Sequence, residues 1–136
     1  MTMDDATLTR LLCRLLARVP TFEYDVTPPP SGVAVQYGAL KAEPDRAVGV
    51  RVYSTTDERH LHWRRAQVRI RGAKGSKTDA DKIAGIVFAA LHGLSREGGI
   101  SGIRRESMSP NGADTNGREE RTDNYIITLD NQESSS

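Results

Sequence analysis

The chain has 136 residues, 37% hydrophobic and 27% charged, which supports one modest core and excludes two ordinary domains, a fibrous protein and a wholly disordered one. Its formal net charge is +1, and its single cysteine, Cys13, excludes an internal disulfide and a zinc site built on several thiolates. No apolar run approaches the ~18 residues that span a bilayer, and the acidic start, Met1 to Asp5, lacks the basic flank of a signal peptide, so a protein made in a reducing cytoplasm with no membrane partner is expected.

Leu8, Leu11, Leu12, Leu15, Leu16 and Val19 recur at helical spacing while Arg10, Arg14 and Arg18 line another side, predicting an amphipathic helix from Asp4 to Val19. Asp4 and Asp5 suit the positive end of its dipole and Pro20 stops it. Cys13 lies beside the stripe, with no histidine near it in sequence, and reads as a packing residue. From Thr21 to Ser31 the prolines Pro28, Pro29 and Pro30 block helix and ladder alike, leaving an extended connector. Val33 to Leu40 reads as a short edge strand. Ala47 to Ser54 places Val48, Val50 and Val52 on one face and Arg51 and Tyr53 on the other. Trp63 to Arg71 repeats the device, with Ala66, Val68 and Ile70 against Arg65, Gln67, Arg69 and Arg71. Thr55 to His62 reads as a polar loop between these two strands. After the Gly and Lys loop from Gly72 to Lys77, Thr78 or Asp79 caps a second helix reaching about Leu91, its buried stripe made of Ala80, Ile83, Ala84, Val87 and Leu91. Strands follow around Ile103 to Met108 and Asn124 to Leu129, with Pro110 to Glu120 as a long hairpin tip.

The expected fold is α+β: a mostly antiparallel sheet of four to five strands with two helices packed on one face, in the order α-(β)-β-β-α-β-β, as one domain over residues 1–130 with a flexible tail at 131–136. The other face, carrying Arg51, Tyr53, Arg65, Gln67, Arg69 and Arg71, has no segment of this short chain to cover it.

Gly72-Ala73-Lys74-Gly75-Ser76-Lys77-Thr78 tempts as a phosphate-cradling loop, but the pattern needs glycines where Ser76 and Arg71 stand. A nucleotide-hydrolysing enzyme is therefore not expected, and neither is a cofactor. His60 and His62 point to one side of an extended segment but lack a third ligand, and read as solvated loop residues; His92 reads as an exposed residue complementing a helix end. No nucleophile, base and orienting group come together as a triad. Charge is uneven: residues 1–40 carry net −1, residues 41–78 net +6 and residues 79–136 net −4. Between Arg59 and Thr78 stand seven Lys or Arg residues and no acid. Such a stretch serves as a solvated face, as an ionic interface with an acidic flank of a neighbouring copy, or as a DNA-binding module over residues 59–78.

The leucine-rich first helix, then Gln36-Tyr37-Gly38-Ala39-Leu40, Pro44-Asp45-Arg46-Ala47-Val48 and Val50-Arg51-Val52-Tyr53, resemble the tail terminator family of long-tailed bacteriophages. The resemblance continues through Gln67-Val68-Arg69-Ile70-Arg71-Gly72, the second helix with Leu91-His92-Gly93-Leu94, and Asn116-Gly117-Arg118, covering about residues 4–130. It implies a structural virion protein: a ring, commonly of six copies, that caps the tail tube, halts its polymerisation and meets the head-completion or connector proteins. Genomic DNA then passes through the ring without sequence-specific binding. No catalytic residue, cofactor or metal is implied. The interface expected on this reading comprises Arg51, Tyr53, Arg65, Arg69, Arg71, Lys74, Lys77, Asn116 and Arg118, with the Pro110 to Glu120 hairpin reaching toward a neighbour.

Overall fold

The computed structural model describes residues 3–130, so the tail expected at 131–136 lies outside the described residues. In chain order the elements are α1 (Asp5–Leu16), β1 (Phe22–Tyr24), β2 (Val33–Tyr37), β3 (Ala47–Glu58), β4 (Leu61–Arg71), α2 (Asp79–Leu91), β5 (Ile100–Ala113) and β6 (Glu119–Leu129). The class is α+β, as expected, but the sheet has six strands in the order β1-β2-β3-β4-β6-β5, with β1, β2 and β3 parallel and the rest antiparallel. Two expectations change with it. The connector holds a strand, β1, too short at three residues to show a period, and β2 is an internal strand, not an edge.

Parallel neighbours ordinarily need a crossover of a dozen or more residues. Here residues 25–32 join β1 to β2 and residues 38–46 join β2 to β3. Short returns suffice because β2 spans only five residues, roughly 17 Å, which a nine-residue extended segment covers with length to spare. The returning segment runs across the sheet at Gly49, where a Cβ would collide with the Gly38 carbonyl oxygen.

Both hairpins are longer than the sequence pattern predicts. The β3–β4 ladder pairs as far as Glu58 with Leu61, leaving only Arg59 and His60 as the turn where a polar loop from Thr55 was expected. The expected tip from Pro110 is mostly ladder as well, since β5 pairs with β6 out to Ala113 and Glu119. Polar residues hid these extensions because the strand ends bury no apolar stripe; Thr55 and Arg64 meet α1 through Asp5 instead.

Asp4 caps α1 by accepting from the Thr7 N–H at 2.7 Å. Thr78 does not cap α2 with its side chain; the Ser76 hydroxyl accepts instead from the Asp79 N–H at 3.1 Å. Helix α1 lays Leu8, Leu12, Leu15 and Leu16 over β1 to β3, and α2 lays Ile83, Ala84, Val87 and Leu91 over β4 to β6. Together with Val48, Val50, Val68, Ile70, Tyr125 and Ile127 they close a single core on one side of the sheet. Cys13 sits in it, and burial pushes its thiol up to about 12, as befits a packing residue.

Arg71 is the donor that holds the return segment down. Its guanidinium gives Nε–H to the Asp45 carbonyl at 2.8 Å and Nη2–H to the carbonyls of Lys41 at 2.8 Å and Pro44 at 2.6 Å, and the side chain is buried. A second clamp joins this corner to α2: Arg46 pairs with Asp79 at 2.8 Å, and Asp79 also accepts from the Ala73 N–H at 2.7 Å.

Arg71→Ala strips three carbonyls of their donor and is expected to cost about 3 kcal/mol, read as a lower denaturation midpoint together with faster amide exchange across residues 38–46; an unchanged midpoint would show that the segment holds itself. Burial pushes Asp79 up, but Arg46 and the Ala73 N–H outweigh it and hold the carboxyl below its ordinary value. A carboxyl lowered by folding adds stability that is full above its unfolded pKa of ~4 and drains away as pH falls through the folded value. Asp79→Asn is thus expected to lower the melting temperature at neutral pH and to flatten its decline below about pH 4, a difference that thermal melts at both ends of the range detect.

Candidate assembly interface

Alternation along the strands builds the face opposite the helices. On β4 the core takes Ala66, Val68 and Ile70, so Trp63, Arg65, Gln67 and Arg69 point away from it. Arg51 on β3 joins them. Tyr53 is the extra residue of a bulge, since Val52 pairs with Ala66 and Ser54 with Arg65, and its ring is 51% exposed. Arg65 reaches across β6 to Glu106 on β5 at 3.0 Å, and this contact holds the Glu106 carboxyl below the usual range. Arg69 lies 3.4 Å from Glu120. Arg51 is exposed and forms no ion pair among the described residues.

Arg71 departs from the expected open face. It shares the outward parity of Arg65 and Arg69, but the segment from Lys41 to Asp45 covers it, leaving 3% exposure. Arg118 is likewise turned inward: it donates to the Ala42 carbonyl at 2.7 Å and pairs with Asp114 at 2.9 Å and Asp45 at 3.2 Å. Asp114 also accepts from the N–H groups of Arg118 and Asn116, each at 2.9 Å; the first of these, with the Arg118 side chain, outweighs burial and lowers its pKa. The Gly75 N–H donates to the Gly117 carbonyl at 2.9 Å, which brings the Lys74 and Lys77 loop against the turn bearing Asn116. The nine residues expected at an interface therefore divide. Arg51, Tyr53, Arg65 and Arg69 lie on the sheet face; Lys74, Lys77 and Asn116 lie exposed on a corner of loops. Arg71 and Arg118 are buried, Arg71 fastening the return segment and Arg118 joining the Asp114 turn to it.

The basic stretch from residue 59 to 78 does not form one cationic track. Arg64 and Arg71 are buried, Arg65 and Arg69 face carboxylates, and the exposed Arg59 is at the opposite end of β4 from Lys74 and Lys77. His62, expected in a solvated loop, is 5% exposed, with Nδ1 at 2.7 Å from Asp57. That hydrogen bond and one from Arg64 hold Asp57 below its ordinary pKa. His92 stacks on Phe88 with ring centroids 4.3 Å apart and accepts at Nδ1 from the Arg105 N–H. Among the described residues, no three His, Cys, Asp or Glu side chains gather into a metal-holding group, and no helix is long and apolar enough to cross a membrane.

Neither edge of the sheet offers a long free ladder. On β5, Ile103 exchanges hydrogen bonds with Gly93 and Leu94, Ile100 with Glu97, and beyond them register shifts and Pro110 break the edge. On the other side β1 has only three residues. Sequence reasoning missed two ionic groups built on buried arginines on the helix side of the sheet: Arg64 with the exposed Asp5 and Asp57, and Arg121 with the buried Asp123 and the exposed Asp81. Both carried a signal, because Arg64 shares the inward parity of Ala66 and Val68, and Asp123 that of Tyr125 and Ile127.

No curated protein matches the chain. Among solved structures, a chain from the virion of a native gene transfer agent particle is similar in fold, with a TM-score of 0.55 at 14% identity over 90% of this chain and 93% of that one. The family described as bacteriophage tail terminator protein matches residues 23–131, which takes in every strand of the sheet but the first residue of β1. On that match the chain belongs to the bacteriophage tail terminator proteins, structural components of the virion tail.

Proposed function

We propose that copies of this chain join head to tail in a ring, six in number, that caps the tail tube, stops its polymerisation and meets the head-completion proteins on its other side. The observation that carries this reading is the uncovered sheet face with Arg51, Tyr53, Trp63, Gln67 and Arg69. Arginine, tyrosine and tryptophan are the residues that dominate binding energy at protein interfaces, because each buries a large rigid surface and still carries a polar group to satisfy. With one edge only three residues long and the other broken by register shifts, the face is the larger surface left for a neighbour to cover. The loop corner with Lys74, Lys77 and Asn116 is a second surface, tied together by the Gly75 N–H to the Gly117 carbonyl and by Arg118 with Asp114, and suited to the tube or the connector. Action of this kind needs no turnover chemistry.

A DNA-binding module over residues 59–78 is the less favoured reading, as its cations are divided between two ends and two ion pairs. It requires tight DNA binding that weakens steeply with salt, whereas a ring that lets DNA pass binds it feebly.

Arg51→Glu changes an exposed side chain that forms no ion pair among the described residues and should leave stability within about 0.5 kcal/mol of the parent. Electron micrographs of lysates complemented by this variant are expected to show overlong tubes and unjoined heads. Normal numbers of complete virions would overturn the assignment of this face.

A further inference from the structure

The three prolines from 28 to 30 are explained neither by the sheet nor by the core. Their segment, residues 25–32, leaves the end of β1 at Asp25, which is in the left-handed region at φ 65, and returns at Gly32. Its base is fixed: the Gly32 N–H donates to the Pro29 carbonyl at 2.8 Å, the Val33 N–H to the Thr21 carbonyl at 2.9 Å, and Arg46 to the Ser31 carbonyl. Its outer surface is open, with Pro29 and Pro30 exposed and Val26 59% exposed, the highest value of any large apolar side chain among the described residues. Between Glu23 and Ser31 there are two acids and no base, and Asp25 forms no ion pair among the described residues.

We infer that this proline strap of one copy docks on the Arg51, Tyr53 and Trp63 platform of the next copy. Proline rings fit against flat aromatic faces, and a strap whose φ angles are already fixed loses little freedom on binding. Val26 and the prolines supply the apolar contact for Tyr53 and Trp63, and Asp25 supplies the carboxylate that Arg51 lacks among the described residues. The strap sits at the β1–β2 end of the sheet and the platform at β3 and β4, so the contact is between two different surfaces of the same chain. Where the two surfaces are not reciprocated within one pair, such a contact propagates in one direction, as a ring of copies requires. The inference rests on the ring reading and adds to it which surfaces meet.

The test uses the full chain with Thr27→Cys and Ser54→Cys together, both outside the core, while Cys13 stays out of reach in it. Under mild oxidation the double variant is expected to give a ladder of disulfide-linked oligomers, while either single variant gives no more than a background of dimers. Adding Tyr53→Ala should cut the yield of the ladder about tenfold. Asp25→Arg should do the same, and Arg51→Asp in that background should restore it. A double variant that links no better than the single ones, or Thr27→Cys linking only to added tail tubes or head-completion proteins, overturns strap docking. A lysine cross-linker applied to the wild-type chain on tail tubes reads the ring separately: closed oligomers there without the ladder sink the strap contact alone, and monomers in both experiments sink the ring as well.

Discussion

The positions of the loops depend on one buried guanidinium. Arg71 ends β4 on the face away from the helices, where its charge would ordinarily reach water, and instead satisfies the carbonyls of Lys41, Pro44 and Asp45. A backbone that turns back over a sheet in nine residues cannot form regular hydrogen bonds with itself, and carbonyls left unpaired under cover cost about 1 to 3 kcal/mol each. One planar group with several donors in a fixed fork meets that need; a lysine at the same place has a single flexible ammonium. Arg118 does the same from the neighbouring turn, through the Ala42 carbonyl and Asp45, so the parallel half of the sheet and the β5–β6 hairpin are locked to one another.

On the opposite face the helices are placed by a related device. Each carries acids in its first turn, where the dipole favours them, and each of these acids meets an arginine of the strands or of the return segment. Asp5 of α1 pairs with Arg64 at 3.0 Å; Asp79 and Asp81 of α2 pair with Arg46 at 2.8 Å and Arg121 at 2.9 Å. Leucine and isoleucine packing draws the helices to the sheet without strongly fixing how far each slides along it. A charge pair at one end of each helix has a much narrower optimum, so these contacts set the helix registers. Arg121 also takes both oxygens of the fully buried Asp123, with Arg105 near the same carboxylate, which keeps the interior charges compensated.

The legible part of the structure was the part governed by burial of an apolar stripe. Both helices, the middle of β3, β4 and the end of β6 follow from periods of 3.6 and two, and the parity of β4 already separates Val68 and Ile70 from Arg65 and Arg69. What escaped this reading lacks such a stripe. Strand β1 is shorter than two periods, and the outer halves of both hairpins meet the helices through polar side chains such as Thr55, Arg64 and Arg121, with no apolar stripe to give a period. The parallel pairing of β2 to β3 depends on Gln36, Arg71 and Arg118 contacting a return segment, none of which leaves a mark in local sequence. Covering of Arg71 by that segment could not be seen for the same reason. Arg64 and Asp123 are legible in principle, since a charge on the inward parity of a strand signals a buried pair, but both stand where the apolar stripe gives way to polar neighbours and the period fades.

The division of labour between the two basic residues follows from these constraints. All 15 arginines and four lysines are unevenly placed: the strands β3 and β4 contain Arg51, Arg64, Arg65, Arg69 and Arg71 and no lysine, while Lys41, Lys74, Lys77 and Lys82 lie in loops or on α2. Inside the sheet a cation must bridge fixed acceptors or lie flat among neighbouring side chains, which a weakly hydrated planar guanidinium does at lower desolvation cost than an ammonium. Arg51, unlike the buried Arg64 and Arg71, is exposed and forms no ion pair among the described residues, so its residue type is not demanded by the described fold. A solvated face would be served equally well by lysine, with its longer-lived hydration and freer stem. The use of arginine at position 51, beside Tyr53, where no contact among the described residues requires it, is what desolvation of this face by another protein surface would select.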